Sequence, residues 1–302
     1  MQNLPVARYR FRVRMNKALI LPAFSGSLMR SVFGRALKQI ACAAHGEAPC
    51  PPQCAYKRLF DPERPANGRF PENPPPYVIE PPRQTRIEAG QQLQFAMVLM
   101  GNELDDLPVV VQAWQQALAT GLGRQRVSGQ LLDVTLVNND DRITVFSTQD
   151  CRFQPHSPRL NLLSGSGFKR CQLHFLTPLR LQQQKQFLKP EALTPEVLAK
   201  ALLRRIRLAG ELYLGLELPD WHQFAHWFEA VTLKSDLQWQ TVERYSSRQQ
   251  QSMKLGGLTG TIELENLHPR LAPWLMLGQY LHLGKNSSFG FGQYHLTTMQ
   301  EQ

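Results

Sequence analysis

ARYRFRVRM, residues 7–15, alternates apolar and basic side chains with a period of two. Tyr9, Phe11, Val13 and Met15 fall on one side, and Arg10, Arg12 and Arg14 on the other. That pattern belongs to a β-strand with one face on a core and the other on solvent or a polyanion. The next stretch, SGSLMRSVFGRALKQIACAA (25–44), repeats apolar residues at helical spacing through Leu28, Val32, Ala36 and Ile40, behind Ser25 or Ser27 as N-cap. Arg30, Arg35 and Lys38 lie off that stripe. A strand running directly into an amphipathic helix opens a strand–helix unit.

Between residues 46 and 83 the chain is dense in proline (EAPCPPQC, ENPPPYVIEPP). It reads as an excursion over a domain surface without regular structure, not as a linker. QQLQFAMVLMG (91–101) then reads as a strand, 107–121 as a helix, and VSGQLLDVTLVNNDDRITVFS (127–147) as a hairpin with an Asn-Asp turn. NLLSGSGFKRC (161–171), small and polar, is the best boundary, because after it the order repeats. CQLHFLTPLRL (171–181) is a strand. TPEVLAKALLRRIRLAGELYLG (194–215) is a helix with Thr194 as cap and Pro195 at its first position. SDLQWQTVERYSSRQ and KLGGLTGTIELENL form a strand pair, HPRLAPWLMLGQYL a helix, and FGQYHLTT the last strand. Two units of the same order predict an α+β protein of two split βαβ sandwiches, 1–165 and 166–302.

The 302 residues hold 34 lysines and arginines against 24 aspartates and glutamates, a formal charge of +10. Such a balance favours a polyanionic partner. No apolar run is long enough to suggest a membrane span, and the N-terminal arginines stand where a signal peptide would be apolar. A cytoplasmic protein is expected, with no membrane partner. Five cysteines without secretion signals fit reduced thiols.

LGKNSSFGFGQY (283–294) sets Gly284, Gly290 and Gly292 around Lys285, Asn286, Ser287 and Ser288. Its amides could converge on phosphate oxygens with Lys285 adding charge, or its glycines could serve only a tight helix-to-strand connection with positive φ. Neither the Rossmann nor the P-loop pattern is met. In RYSSRQ (244–249), Arg244 and Arg248 flank Tyr245, a combination suited to single-stranded RNA. Arg204, Arg205 and Arg207 cluster in LLRRIRLAG, either as an RNA contact or as a solvated face. His222 and His226 stand four apart among Trp221, Phe224 and Trp227, and read as part of a packing helix.

Taken together, GKNSSFGFGQY, RYSSRQ with KLGGLTGTI, SGSLMRSVFGRAL followed by cysteines and CAYKRLF, PPPYVIEPP and HFLTPLRL resemble the CRISPR-associated endoribonucleases that process precursor crRNA. These belong to the repeat-associated RNA-binding (RAMP) superfamily. The resemblance implies two tandem ferredoxin-like (RRM-like) domains, a cleft for CRISPR repeat RNA, and cleavage with neither metal nor other cofactor. In that reaction a 2′-OH attacks the adjacent phosphate, leaving a 2′,3′-cyclic phosphate and a 5′-OH. Repeat RNA, crRNA and CRISPR effector subunits are the implied partners.

The reaction needs a base, a cation for the oxyanion and an acid for the leaving oxygen. The resemblance places His45, after the first helix, as the catalytic histidine; proximity in sequence alone suggests Lys38 or Lys57 as its electrostatic partner and Tyr56 to position the sugar. His282, beside the glycine loop, is the alternative histidine. Arg30, Arg35, Arg244, Tyr245, Arg248 and the loop residues Gly284, Lys285, Ser287, Ser288, Gly290 and Gly292 are the expected RNA contacts. Cys42, Cys50 and Cys54 could join His45 in a Cys3His zinc site, which would remove His45 as base. Their C-x7-C-x3-C spacing is unusual, so no metal is expected. A non-catalytic RNA-binding subunit of an effector complex, or an unrelated basic RNA-binding protein, are the alternative readings.

Overall fold

The computed structural model describes residues 3–42, 50–51, 53–63, 73–138, 141–162, 167–246 and 251–299, with backbone only at 141, 243–246 and 251–253. The chain divides into two compact units. One holds Pro5–Leu160 and Glu243–Met253, and the other Met1–Leu4, Asn161–Val242 and Lys254–Gln302.

The unit formed by Pro5–Leu160 begins with β1 (Val6–Met15), whose Tyr9, Phe11, Val13 and Met15 are fully buried, as the period-two pattern requires. The arginine face of β1 is not left open to a polyanion throughout. Arg8 bonds Glu80 at 3.0 Å and Arg12 grips Asp133, so acids on neighbouring strands neutralise part of it. After the short β2 (Leu19–Ile20) comes α1 (Gly26–Ala41). Its buried face runs through Met29, Val32, Phe33, Ala36 and Leu37, rotated from the expected stripe: Leu28 is half-buried and Ile40 exposed. The rotation lets Phe33 stack on Trp114 at 5.1 Å, a larger apolar contact than Ile40 could make.

Regular structure also forms where proline density argued against it. α2 (Ala55–Phe60) and β3 (Tyr77–Glu80) lie inside 46–83, because the prolines flank these segments without interrupting them. β4 (Arg86–Ile87) pairs with β2. β5 (Gln92–Met100) and α3 (Leu107–Thr120) follow, then β6 (Gly129–Asn138), β7 (Asp141–Ser147) and β8 (Arg152–Phe153). The Asn-Asp turn expected between β6 and β7 lies outside the described residues. The antiparallel sheet has the order β3-β5-β1-β6-β7-β8. Trp114 of α3 is fully buried against Phe95 (4.5 Å) and Phe33, and so joins both helices to the sheet.

In the second unit β9 (Cys171–Leu179), a small pair β10 (Gln182–Gln183) and β11 (Gln186–Phe187), and α4 (Pro195–Ala209) come first. α4 starts where capping chemistry places it: the Thr194 hydroxyl accepts from Val197 N at 3.3 Å and Pro195 occupies the first turn. α5 (Trp221–His226), β12 (Thr232–Ser246), β13 (Gln251–Glu265), α6 (Ala272–Leu281) and β14 (Tyr294–Thr298) complete it. The sheet order is β12-β13-β9-β14, antiparallel along β9. Gly278 of α6 has no side chain where the Tyr294 hydroxyl passes to donate to Leu275 O, so α6 sits close on β14.

Each unit is a βαββαβ run whose four strands lie side by side as second, third, first, fourth: β3-β5-β1-β6 in one and β12-β13-β9-β14 in the other. That is the ferredoxin-like sandwich, present twice. No helix among the described residues is long and apolar enough to cross a membrane.

Candidate active site and RNA interface

Arg30, Gly34 and Lys38 recur every four residues along α1 and therefore share one face. α2 lies against that face. Gly34 has no side chain where the Phe60 ring packs, and a Cβ there would collide with the ring. Arg30 sets its guanidinium 4.3 Å over Phe60, while Lys38 Nζ lies 5.9 Å from the centre of the Tyr56 ring. The two rings stack at 5.4 Å. Two residues assigned to catalysis from sequence, Lys38 and Tyr56, are thus brought together, and Arg30 joins them.

Lys38 and Arg35 are exposed; Arg35 sits one position beyond Gly34, off the shared face. Burial, with Asp61 and Cys50 nearby, raises the Tyr56 phenol above its ordinary range and keeps it a neutral hydrogen-bonding group. Lys57, the alternative cation, is paired with Asp61 at 3.0 Å. Arg58 holds Asp106 at the start of α3 at 2.7 Å and anchors α2. Below this patch burial pushes the Tyr77 phenol up to about 12, opposed by the charge of Arg30.

His45 lies outside the described residues. Cys42 and Cys50, which bracket it in sequence, place their sulfurs 3.0 Å apart, and the Cys54 thiol donates to Ala41 O at 3.2 Å. The three sulfurs are within 4.8 Å of one another. The loose sequence spacing conceals this convergence, because the C-terminal end of α1 and the N-terminal end of α2 supply the outer two.

The glycine loop is described in full. Gly284, Gly290 and Gly292 all have positive φ, as does Asn286. The loop's amides mostly hold the loop itself. Lys285 N donates to Arg180 O (2.9 Å), Gly290 N to Ser287 O (2.9 Å) and Gly292 N to Pro178 O (2.9 Å). Thr177 donates its hydroxyl to Gly290 O at 2.6 Å and accepts from Gln293 N. Gly290, Gly292 and Ser287 are buried, Gly284 and Ser288 half-buried, and Lys285 exposed. The connector reading therefore accounts for the glycines, and the charged group the loop leaves exposed is the Lys285 side chain.

His282, the alternative histidine, is fully buried at the end of α6, with its Nδ1 3.2 Å from Phe291 O. It braces the loop from inside and offers no surface to RNA. Arg205, read as part of a basic cluster, is also buried. Its Nε donates to Leu281 O at 2.8 Å, and burial lowers its pKa to about 10. It caps the carbonyl end of α6. Arg248 lies outside the described residues, as do the side chains of Arg244 and Tyr245.

A further set beside the loop was not singled out from sequence. Arg180, whose carbonyl anchors Lys285, lies 4.1 Å over the Phe187 ring, and Phe187 is 6.4 Å from Trp239. Both aromatics are exposed, at 39% and 44%. Trp239 lies flat over Gly256 of the paired strand, where a Cβ would strike the indole. Exposed rings with an arginine suit stacking of unpaired bases. The signal in the sequence was a tryptophan among glutamines, LQWQ, on a strand whose partner carries Gly256-Gly257.

Residues 4–158 match the N-terminal-domain model AF_1859_N, and residues 173–294 match the model of the CRISPR-associated endoribonuclease Cas6. The chain belongs to the Cas6 family of CRISPR-associated endoribonucleases. It is accordingly an endoribonuclease. Among solved structures, a Cas6 (TTHB231) product complex aligns with a TM-score of 0.60 and 14% identity, over 97% of this chain and 99% of that one. Thermus thermophilus Cas6 (TTHB231) gives 0.56 and 13% over 97% and 99%. A partial Cas6-RT-Cas1–Cas2 complex gives 0.60 and 14%, over 98% of this chain but 46% of that one. At such identities these likenesses show the fold. A search of curated proteins finds no match.

Proposed function

We propose that this chain cuts CRISPR repeat RNA without a metal ion and holds the crRNA product. The 2′-OH on the 5′ side of the scissile phosphate attacks phosphorus in line, and the P–O5′ bond breaks. The departing O5′ takes its proton from solvent water, so the products carry a 2′,3′-cyclic phosphate and a 5′-OH. His45 takes the 2′ proton, a task suited to imidazole at neutral pH. Lys38 stabilises the oxyanion that develops on the pentacovalent phosphorus. Tyr56, neutral and beside Lys38, positions the sugar. Arg30 and Arg35 bind flanking phosphates, and Lys285 binds phosphate at the glycine loop.

The observation that supports this reading is the meeting of Lys38 and Tyr56 across the α1–α2 contact, next to the cysteines that bracket His45. Removing an oxyanion donor costs about 10²–10³ in rate. Lys38→Ala should therefore slow single-turnover cleavage of repeat RNA by that order, with a small change in affinity. Cleavage by Lys38→Ala at the wild-type rate, with protein saturating, would place the chemistry elsewhere.

A further inference from the structure

We propose that Cys42, Cys50 and Cys54 bind one thiophilic divalent cation of the zinc class, which staples α2 to the end of α1. Cys42 ends α1, Cys54 precedes the first residue of α2, and Cys50 lies in the segment between them. Their sulfurs converge within 4.8 Å of one another. Tetrahedral zinc with Zn–S bonds of about 2.3 Å places its sulfurs about 3.8 Å apart, so only small side-chain rotations separate this cluster from a ligand set.

Neither apolar packing nor a disulfide accounts for the convergence. Apolar packing would bury all three cysteines, but only Cys42 is buried, and Cys50 and Cys54 are half-exposed. A Cys42–Cys50 disulfide would use two sulfurs and leave the approach of the third without a purpose. The short helix supplies a reason for a staple. α2 has six residues, too few to be stable alone in water, and buries only Leu59 completely. Yet it must hold Tyr56 beside Lys38 and Phe60 over Gly34. A cation that joins both helix ends fixes that register, and its binding energy becomes folding energy. Three thiolates fill three corners of a tetrahedron, and water can take the fourth. The ion takes no part in the RNA chemistry proposed above.

The test reads metal directly, independent of cleavage. The full chain is purified without chelator, its zinc is measured, and the reduced apoprotein is titrated with cobalt(II) under anaerobic conditions. The expected result is one cobalt per chain with a thiolate-to-cobalt charge-transfer band and d–d bands of tetrahedral strength, all displaced by zinc. Cys54→Ser and Cys50→Ser, both at half-exposed positions, should each lower cobalt affinity at least about tenfold, since the loss of even an outer-shell partner costs about 10–100-fold. Alkylation of the wild type gives a readout that survives even if the variants do not fold. Zinc should protect Cys42, Cys50 and Cys54, while the exposed Cys151 reacts with or without metal. Absence of the charge-transfer band, a band unchanged in both variants, a Cys42–Cys50 disulfide in freshly purified protein, or alkylation unaffected by zinc would each overturn the proposal.

Discussion

Gly284→Ala, set against Gly90→Ala, isolates what the glycine loop requires of its backbone. The two glycines have nearly the same dihedral, φ +79° and +80°. An L side chain in that region costs about 1–2 kcal/mol at either position. Their surroundings differ. A Cβ at Gly90 meets nothing within 4 Å, whereas at Gly284 it falls 2.6 Å from Arg180 O and 3.0 Å from its carbonyl carbon. Both atoms are backbone, so relief requires the loop to lift from the end of β9. That movement breaks the Lys285 N to Arg180 O bond of 2.9 Å. Overpacking adds about 1–3 kcal/mol and the lost hydrogen bond about 0.5–1.5 kcal/mol. Gly284→Ala should thus cost about 1.5–4.5 kcal/mol more than Gly90→Ala in urea unfolding, and hydrogen exchange at the Lys285 amide should accelerate in that variant alone. Equal losses in the two variants would refute the claim that the loop is clamped on Arg180.

Lys285→Ala should weaken repeat-RNA binding at low salt and reduce the slope of log K against log salt by about one, with little loss of stability, because the side chain is exposed. Trp239→Ala should lower affinity for single-stranded repeat RNA by about 1–3 kcal/mol if the ring stacks a base, read by filter binding at fixed salt. His45→Ala should slow single-turnover cleavage about 10²–10⁴-fold at unchanged affinity. His282→Ala should instead destabilise the fold by about 1–3 kcal/mol, since it removes a buried hydrogen-bonding ring, and should leave the chemical step intact in protein that remains folded.

The fold was legible where periodicity and capping carry it. β1 alternates because one face meets a core, and α4 starts at Thr194-Pro195 because local backbone chemistry demands it. β3 was hidden, because proline density describes the flanks of a strand and its interior alike, and only the pairing with β5 reveals which. α1 showed its helix but not its facing, since Phe33 finds Trp114 eighty-one residues later in the chain. The site divides in the same way. The proximity of Lys38 and Tyr56 was readable because they are close in sequence. His282 and Arg205 looked available because a sequence records charge and not burial; both turn inward to serve carbonyls of the loop and of α6. Trp239 and Phe187 meet through a sheet and a side hairpin, which no local pattern announces.

The central claim is that the RNA supplies its own nucleophile, and one comparison tests it most directly. Repeat RNA and the same RNA with a single 2′-deoxy substitution 5′ of the cut are each incubated with excess protein in buffer without magnesium or manganese, and products are resolved by end chemistry. The account predicts that the all-ribose RNA is cut to a 2′,3′-cyclic phosphate and a 5′-OH, while the deoxy RNA binds as tightly and stays whole. Cleavage of the deoxy RNA, or a product with a 5′-phosphate, would contradict it.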